Sequence, residues 1–441
     1  MAKNPAALLA CGLLIAACPA VFGADAPTLV IRAHSLIDGT ADKPRQNMDV
    51  VIRGNRIVEV HPTNSQALPA AVQVIDLGAA TLLPGLIDTH THIFLQGEDP
   101  AAGGYDVQLL KFPASYRAAR AVVAARRALE QGFTSIRDME TEGAGYGDVG
   151  IKRAINEGII PGPRMWVSTL SISTTGGYPL EGYAPEIAAL PKGSQLIDGP
   201  IEARKAAREQ LDNGADWIKV YMTHRSWLDA QGALVSQPTL TVEELKAIVD
   251  ETHGWGKKVA CHAYNGIGLQ RALDGGCDSI EHGLEITDAQ IAQMLKQGTW
   301  YVPTLQVYYT DWDPADTDAG KRDRKRAELH GVSFGKALRA GVKIAFGTDV
   351  GGFKWSEPIA EEFSREVQLG MTPMQAIQSA TSRAAELLGK RGELGVIAPG
   401  AYADLIAVAS DPLADVAVLK AVQFVMKDGV VFKSPRGSVA P

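Results

Sequence analysis

Between Leu29 and Leu83 the chain alternates. In "TLVIRAHSLIDG", "MDVVIRGNRIVEV" and "AVQVIDLGAATLLPG" valine and isoleucine interleave with polar residues, and glycine-containing pairs break the runs. That is the pattern of short, half-buried strands joined by turns. "ADLIAVASDP" and "VQFVMKDGVVF" repeat it near the C-terminus. The two ends together predict one small composite β-sandwich, built from residues 27–86 and 396–434. The middle, 87–395, changes period. "SYRAARAVVAARRALEQG", "IEARKAAREQLDNG", "TVEELKAIVDETHGWG" and "DAQIAQMLKQG" have helical spacing and close on glycine, as helix C-caps do. Each is followed by a short apolar run: "FTSIRDM", "ADWIKVYM", "KKVACHAYN" and "TWYVPTL". Repeated helix-to-strand alternation predicts an α/β fold with a parallel sheet, closed as a (β/α)8 barrel or opened as a doubly wound sheet. Roughly eight strand candidates favour the TIM barrel.

Composition narrows the function classes. With 441 residues, 46% hydrophobic and 21% charged, the chain has the balance of a globular protein with a sizeable core. A formal net charge of -7 and a pI near 5.8 argue against nucleic acid as a partner and leave a small-molecule substrate. The first 24 residues are set apart from the fold. Lys3, the apolar stretch from Ala6 to Cys18 and small residues around Gly23 predict a secretory signal peptide, and hence an exported protein, periplasmic or secreted. At about a dozen residues the apolar stretch is short for a membrane span. "LIAAC", ending at Cys18, also resembles a bacterial lipoprotein box, so a lipid anchor there is the alternative. Cys11 and Cys18 fall in the signal. For Cys261 and Cys277, in apolar strand-like runs, the expectation is a small buried hydrophobe rather than a disulfide.

Candidate chemistry sits where strands end. In a barrel those ends face the mouth, where active sites assemble. In "TLLPGLIDTHTHIF" His90 and His92 are two apart, so they share one side of a strand and can grip one metal ion; an exposed pair is the plain alternative. In "GADWIKVYM" Trp217, Lys219 and Tyr221 share one face and Ile218 and Val220 the other. If the aliphatic pair meets the helices, Lys219 points into the barrel, where a bare ammonium is costly. Either it snorkels out at the strand end, or burial lowers its pKa and the neutral amine adds carbon dioxide to give a carbamate. "KKVACHAYN" ends on His262, "CDSIEHGLE" carries His282 and "VKIAFGTDVGG" carries Asp349. Each alone has a plain reading as a core residue or helix cap. Their order on successive strand ends makes a joint metal site the better one. Asp88, with the same parity as His90 and His92, is expected to be a hydrogen-bond partner that orients them.

Taken together, "GLIDTHTH", "WIKVY", "HAYN", "EHG", "FGTDVGG" and the exit "TSRAAELLGKRGELGVIAPGAYADLIAV" resemble the metal-dependent amidohydrolase superfamily over nearly the whole mature chain. Within it the chain is most similar to the imidazolonepropionase-like and prolidase-like subgroup, which includes ochratoxin-hydrolysing and carboxypeptidase-like enzymes. The resemblance implies that His90, His92 and Asp349 bind the more buried metal, that His262 and His282 bind the outer one, and that carboxylated Lys219 (N6-carboxylysine) bridges them. Zinc suits such mixed imidazole and carboxylate ligands, with manganese or cobalt as substitutes. It implies hydrolysis by a metal-bridging hydroxide, with Asp349 as both ligand and general base.

Substrate contacts are open on both sides. Tyr221 is read as an oxyanion donor or a core tyrosine. His224 and Arg225 lie in the loop after the lysine, where Arg225 pairs with a substrate carboxylate or is simply a solvated arginine. "STTGGYPLEGYAP" and "YYTDWDPADTDAG" are aromatic, glycine-containing loops suited to lining the mouth against an aryl-containing substrate. The expected substrate is an N-acyl amino acid or dipeptide, with an ochratoxin-like N-aroyl phenylalanine as a plausible case. A cyclic amide, lactone or phosphoester on the same metals is the alternative, and a non-catalytic assembly or binding protein the remote one. Fold analogy adds a homo-oligomer.

Overall fold

The computed structural model describes residues 28–434 except 69–71, 99–102, 179, 181, 185, 188–189 and 310–312. The predicted signal segment with Cys11 and Cys18, and Trp312 of the second aromatic loop, lie outside the described residues. No described helix is long and apolar enough to cross a membrane.

The chain opens with β1 (Thr28–Leu36), β2 (Arg45–Arg53), β3 (Arg56–Pro62), β4 (Gln73–Asp76) and β5 (Thr81–Pro84). There follow β6 (Leu86–Thr91), β7 (Phe133–Asp138), β8 (Arg164–Val167), β9 (Ser171–Ser173), β10 (Gln195–Leu196), β11 (Trp217–Tyr221), β12 (Thr223–Leu228), β13 (Leu234–Pro238), β14 (Lys258–Ala263), β15 (Ser279–His282) and β16 (Trp300–Val302). It closes with β17 (Leu405–Val408), β18 (Phe424–Lys427) and β19 (Val430–Lys433).

Both ends of the chain build one sheet, ordered β19-β18-β17-β5-β1-β2-β3, with β4 also paired to β1. The strands are hydrogen-bonded into a single forked sheet. The fork arises because β1 pairs with β4 through Leu29–Arg32 and with β5 only at Ser35 and Leu36. Alternation had shown that one face is apolar, not what covers it. Here the cover includes Val396, Ile397, Ala401 and Ala403, packed with Ile31, Leu36, Val50, Ile52, Leu82 and Leu405. Each such fully buried aliphatic contributes about 1.5–3 kcal/mol.

The middle is α/β. β6, β7 and β8 pair in parallel, as do β9, β11, β14, β15 and β16. The Asp216 amide donates to the Val167 carbonyl at 2.7 Å, joining β8 to the start of β11. Segment 343–350 bonds on two sides. It meets β16 through Tyr301 N to Lys343 O at 2.8 Å, and β6 through Thr89 N to Phe346 O at 3.0 Å and Asp349 N to His90 O at 2.8 Å. Helices Val242–Gly254 and Asp288–Gln297 begin with capping boxes at Thr241 and Thr287, which satisfy donors that would otherwise be orphaned. Alanines 121, 124, 125 and 128 of helix Ala114–Glu130 are fully buried, and their small side chains let helix and strand approach closely.

Alternation along β11 reads as expected. Ile218 and Val220 join the large core beneath the helices, while Trp217 packs with Met139, Ala260, Trp300, Val302 and Ala345 on the opposite face. Lys219 is fully buried on that face, so it does not snorkel to solvent. The cysteines depart from expectation. Cys261 and Cys277 form a disulfide across a Cα separation of 6.1 Å. They are apolar-buried as expected, but parallel pairing of β14 with β15 brings together two positions 16 apart in sequence.

Candidate active site

Six strand-end residues of the sequence reading line one cavity of about 430 Å³: His90, His92, Lys219, His262, His282 and Asp349. The tightest grouping is His90, His92 and Asp349, whose donor atoms all lie within 4.8 Å of one another. His92 Nε2 is 3.1 Å from Asp349 Oδ1 and 3.4 Å from His90 Nε2. Lys219 Nζ is 3.5 Å from the same His90 nitrogen. His282 Nδ1 is 4.0 Å from Asp349 Oδ2, and the His262 and His282 ring centroids are 4.3 Å apart.

Backbone geometry brings these side chains inward. His282 and Asp349 both take positive φ, 72° and 61°, a conformation that costs of order 1–3 kcal/mol for a non-glycine residue and persists only where surroundings enforce it. Gly351 makes the approach at Asp349 possible: a Cβ there would overlap the backbone oxygen and Cβ of His92. Asp88 accepts from the amides of His90 and Thr348 and from the Thr348 hydroxyl. It ties the ends of two strands together through backbone rather than touching the imidazole rings. Burial pushes its carboxyl up to about 7.

Electrostatics keep the imidazoles ready to donate a lone pair. Burial, with the charge of Lys219, holds His90 well below its usual value. Burial and the neighbouring His282 do the same for His262, and His282 falls to about 3. Neutral imidazole is the metal-binding form. For Asp349 burial acts upward, yet the hydrogen bond from His92 and the charges of His90, His92 and His282 hold it below the ordinary carboxylate range. Two ring nitrogens turned toward each other, and a buried His262 Nε2 without a hydrogen-bond partner among the described residues, are arrangements a shared cation satisfies.

Several residues at the site were not singled out in the sequence. Glu281 accepts from His90 Nδ1 at 2.7 Å, so His90 Nε2 is left facing the cavity. Arg137 donates to both Glu281 oxygens, at 2.9 and 3.0 Å, and stacks over the Trp217 ring. The signal for Glu281 was in "SIEH": strand alternation turns Ser279 and Glu281 to the interior, and only the left-handed backbone at His282 brings that ring to the mouth as well. Glu142 lies 3.4 Å from His92 Nδ1 and accepts the hydroxyls of Tyr105 and Tyr178.

Two expected substrate contacts change. Tyr221 lines the cavity, but its hydroxyl donates to Glu140 at 2.7 Å, so the proton offered to an oxyanion is already engaged. His224 is on the cavity wall, 4.3 Å from the Tyr178 ring, with its pKa pushed down to about 3 by burial and by Arg225 and Arg326. Arg225 is half-buried and does not line the cavity among the described residues. Its strand runs out into a hairpin with β13, and the arginines on the wall are Arg322 and Arg326, from helix Asp318–Ala340.

Comparison with known proteins follows this geometry closely. The model of the Amidohydrolase family matches residues 81–432. The chain belongs to the amidohydrolase family. It is a hydrolase acting on amide bonds, with ochratoxinase-like and prolidase-like relatives. This amidohydrolase is 33% identical over 392 residues to ochratoxinase of Aspergillus niger, spanning 80% of this chain and 76% of that one. It is 26% identical over 394 residues to imidazolonepropionase of Streptomyces griseus, spanning 86% and 90%. Among solved structures, a Xaa-Pro dipeptidase with methionine bound in its active site superposes with a TM-score of 0.81 at 33% identity, covering 92% of this chain and all of that one.

Proposed function

We propose that this amidohydrolase is an exported dinuclear-metal enzyme that hydrolyses the amide bond of an N-acyl amino acid or dipeptide, an N-aroyl phenylalanine of the ochratoxin kind included. The observation that carries it is the convergence of His90 Nε2, His92 Nε2 and Asp349 at the floor of a cavity whose wall continues through Lys219, His262 and His282. The parallel strands β6, β7, β8, β11, β14, β15 and β16 with segment 343–350 are read as a closed (β/α)8 barrel spanning 87–395. The forked sheet is read as a second domain, from 27–86 and 396–434.

In this reading His90, His92 and Asp349 would hold one divalent ion and His262 and His282 a second. Lys219, as N6-carboxylysine, would supply a further anion, since neutral imidazoles alone leave two dications uncompensated. Zinc suits the donor set. When bound, such ions supply an activated water and polarise the scissile carbonyl. Asp349 would accept the proton lost by the attacking water on a carboxylate oxygen and pass it to the leaving nitrogen. Glu281 and Glu142 fix the rings of His90 and His92. The wall of Tyr105, Tyr178 and Tyr221 packs an apolar or aryl acyl group, with Tyr178 edge-on to Tyr105 and 4.6 Å from Tyr221. The apolar N-terminal stretch supports export, and a structural disulfide is at home in an oxidising compartment.

The test is metal analysis of purified protein with hydrolysis of N-benzoyl-phenylalanine, a lactone and an aryl phosphoester. About two equivalents of metal, chelator-sensitive cleavage of the amide and stimulation of reconstitution by bicarbonate are expected. A chain that carries no divalent ion and gains no activity on metal addition overturns the reading; turnover of lactones alone replaces it with the alternative.

A further inference from the structure

The cavity carries acidic and basic groups beyond the six strand-end residues. Glu98, Glu142, Tyr105 and Tyr178 line it, with burial and the charges of Glu142 and Asp349 pushing Glu98 up to about 8. So do the cations Arg322 and Arg326, with Asp313 and Asp323.

Arg326 is held in an unusual way. Ser226 Oγ, on the residue after Arg225, accepts from Arg326 Nε at 3.0 Å and from Nη2 at 2.6 Å. Asp323 Oδ1 accepts from Nη1 at 3.2 Å and also from Arg322 Nε at 3.1 Å. A guanidinium has five N–H donors. Three are used among the described residues, and the remaining two lie one on each terminal nitrogen. One N–H from each terminal nitrogen, a fork, is what a carboxylate uses in an end-on bidentate bond.

Its place relative to the imidazoles is as informative. The Arg326 guanidinium carbon lies 5.4 Å from the centroid of the Tyr264 ring, which is 4.4 Å from the His262 ring and 5.7 Å from the His282 ring. The fork therefore stands one aromatic ring away from the outer pair of histidines. One residue of extended chain spans about 3.5 Å, and a charge-assisted hydrogen bond adds about 2.8 Å. A substrate with its amide carbonyl at the histidines that extends past the Tyr264 ring carries a carboxylate one residue further along toward that fork.

We propose that Arg326 receives the terminal carboxylate of the substrate, so that the enzyme cleaves the amide bond next to a free C-terminal residue and releases an α-amino acid. This deepens the amide-hydrolase reading of the same site and rests on it. Arg326, fixed by Ser226, takes the role that the sequence had offered to Arg225.

The test compares kcat/KM of the metal-loaded full chain for N-benzoyl-phenylalanine and for its C-terminal carboxamide. The wild type favours the acid. Arg326→Gln lowers the acid-to-amide ratio by about 10–100-fold, mainly through KM, as loss of a hydrogen-bonded charge pair predicts, and Arg326→Lys recovers part of it. An unchanged ratio in well-folded Arg326→Gln overturns the proposal. Should that variant not fold, product inhibition of the wild type decides: phenylalanine inhibits and phenylalaninamide does not, and equal potency overturns the proposal. If wild type cleaves neither substrate, the amide-hydrolase reading fails. Calorimetric binding of phenylalanine to wild type and to Arg326→Lys still tests the fork, with tighter binding to wild type expected and equal binding overturning it.

Discussion

The floor and the outer rim of the cavity are built on different principles. At the floor every ring has a carboxylate beside it: His90 is held by Glu281 and through it by Arg137, and His92 lies between Asp349 and Glu142. Glu142 is buried and Asp349 partly so, and the Arg137–Glu281 pair is fully buried. On the rim the His282 ring is hydrogen-bonded, among the described residues, to Thr304 at 2.8 Å, with Asp349 farther off at 4.0 Å, and His262 is positioned by ring contacts with Tyr221, Tyr264 and His282. A floor wired by charge is preorganised whether or not a ligand is bound; a rim shaped by aromatic packing is completed by whatever binds there. The contrast teaches where a change should abolish chemistry and where it should retune affinity.

Four experiments probe that contrast. The largest effect is expected from Asp349→Asn, which removes the proton acceptor while keeping the shape. Turnover of N-benzoyl-phenylalanine should fall by about 10²–10⁴-fold, with metal content reduced far less; parallel loss of metal and activity would make Asp349 a ligand alone. Next, Glu281→Gln leaves His90 without its anionic partner and should weaken metal affinity by about 10–100-fold, measured by competition with a chelator. His262→Ala on the rim should instead cost one of the two metal equivalents and leave the other in place. If floor and rim empty together, the two halves are not independent.

The smallest effect on catalysis is expected from Cys261→Ser. The bridge lies behind the rim, one residue from His262, and closes a loop with a sequence separation of 16. Removing such a cross-link costs about 3 kcal/mol in the chain-entropy view, so the melting temperature should drop by several degrees while the metal-loaded activity stays near that of wild type. A fall in metal affinity without a fall in melting temperature would show instead that the bridge positions His262.

Much of this was legible along the chain. Parity alone put His90 and His92 on one side of a strand and Lys219 opposite Ile218 and Val220, because side chains alternate strictly along a strand. Glycine placement flagged the turn after Asp349. The partners were not legible, for three physical reasons. Glu281 contacts a residue 191 positions away, and no local pattern encodes that distance. His282 and Asp349 reach the cavity through left-handed backbone, which breaks the parity rule that would otherwise predict their direction. Arg326 carried no signal in the sequence, and only the packing of helix Asp318–Ala340 against the hairpin of β12 with β13 sets it, rather than Arg225, on the cavity wall.

Helical and strand periods, the order of the candidate ligand residues and the family resemblance could all be read along the chain, since period, spacing and composition are local properties. Tertiary structure decided which carboxylates brace which histidines, that Cys261 meets Cys277, that the Tyr221 hydroxyl is bonded to Glu140, and which arginine stands at the end of the cavity. Those are contacts between strands and helices far apart in the chain, and their energies exist only once packing has excluded water and brought the partners within a few ångströms.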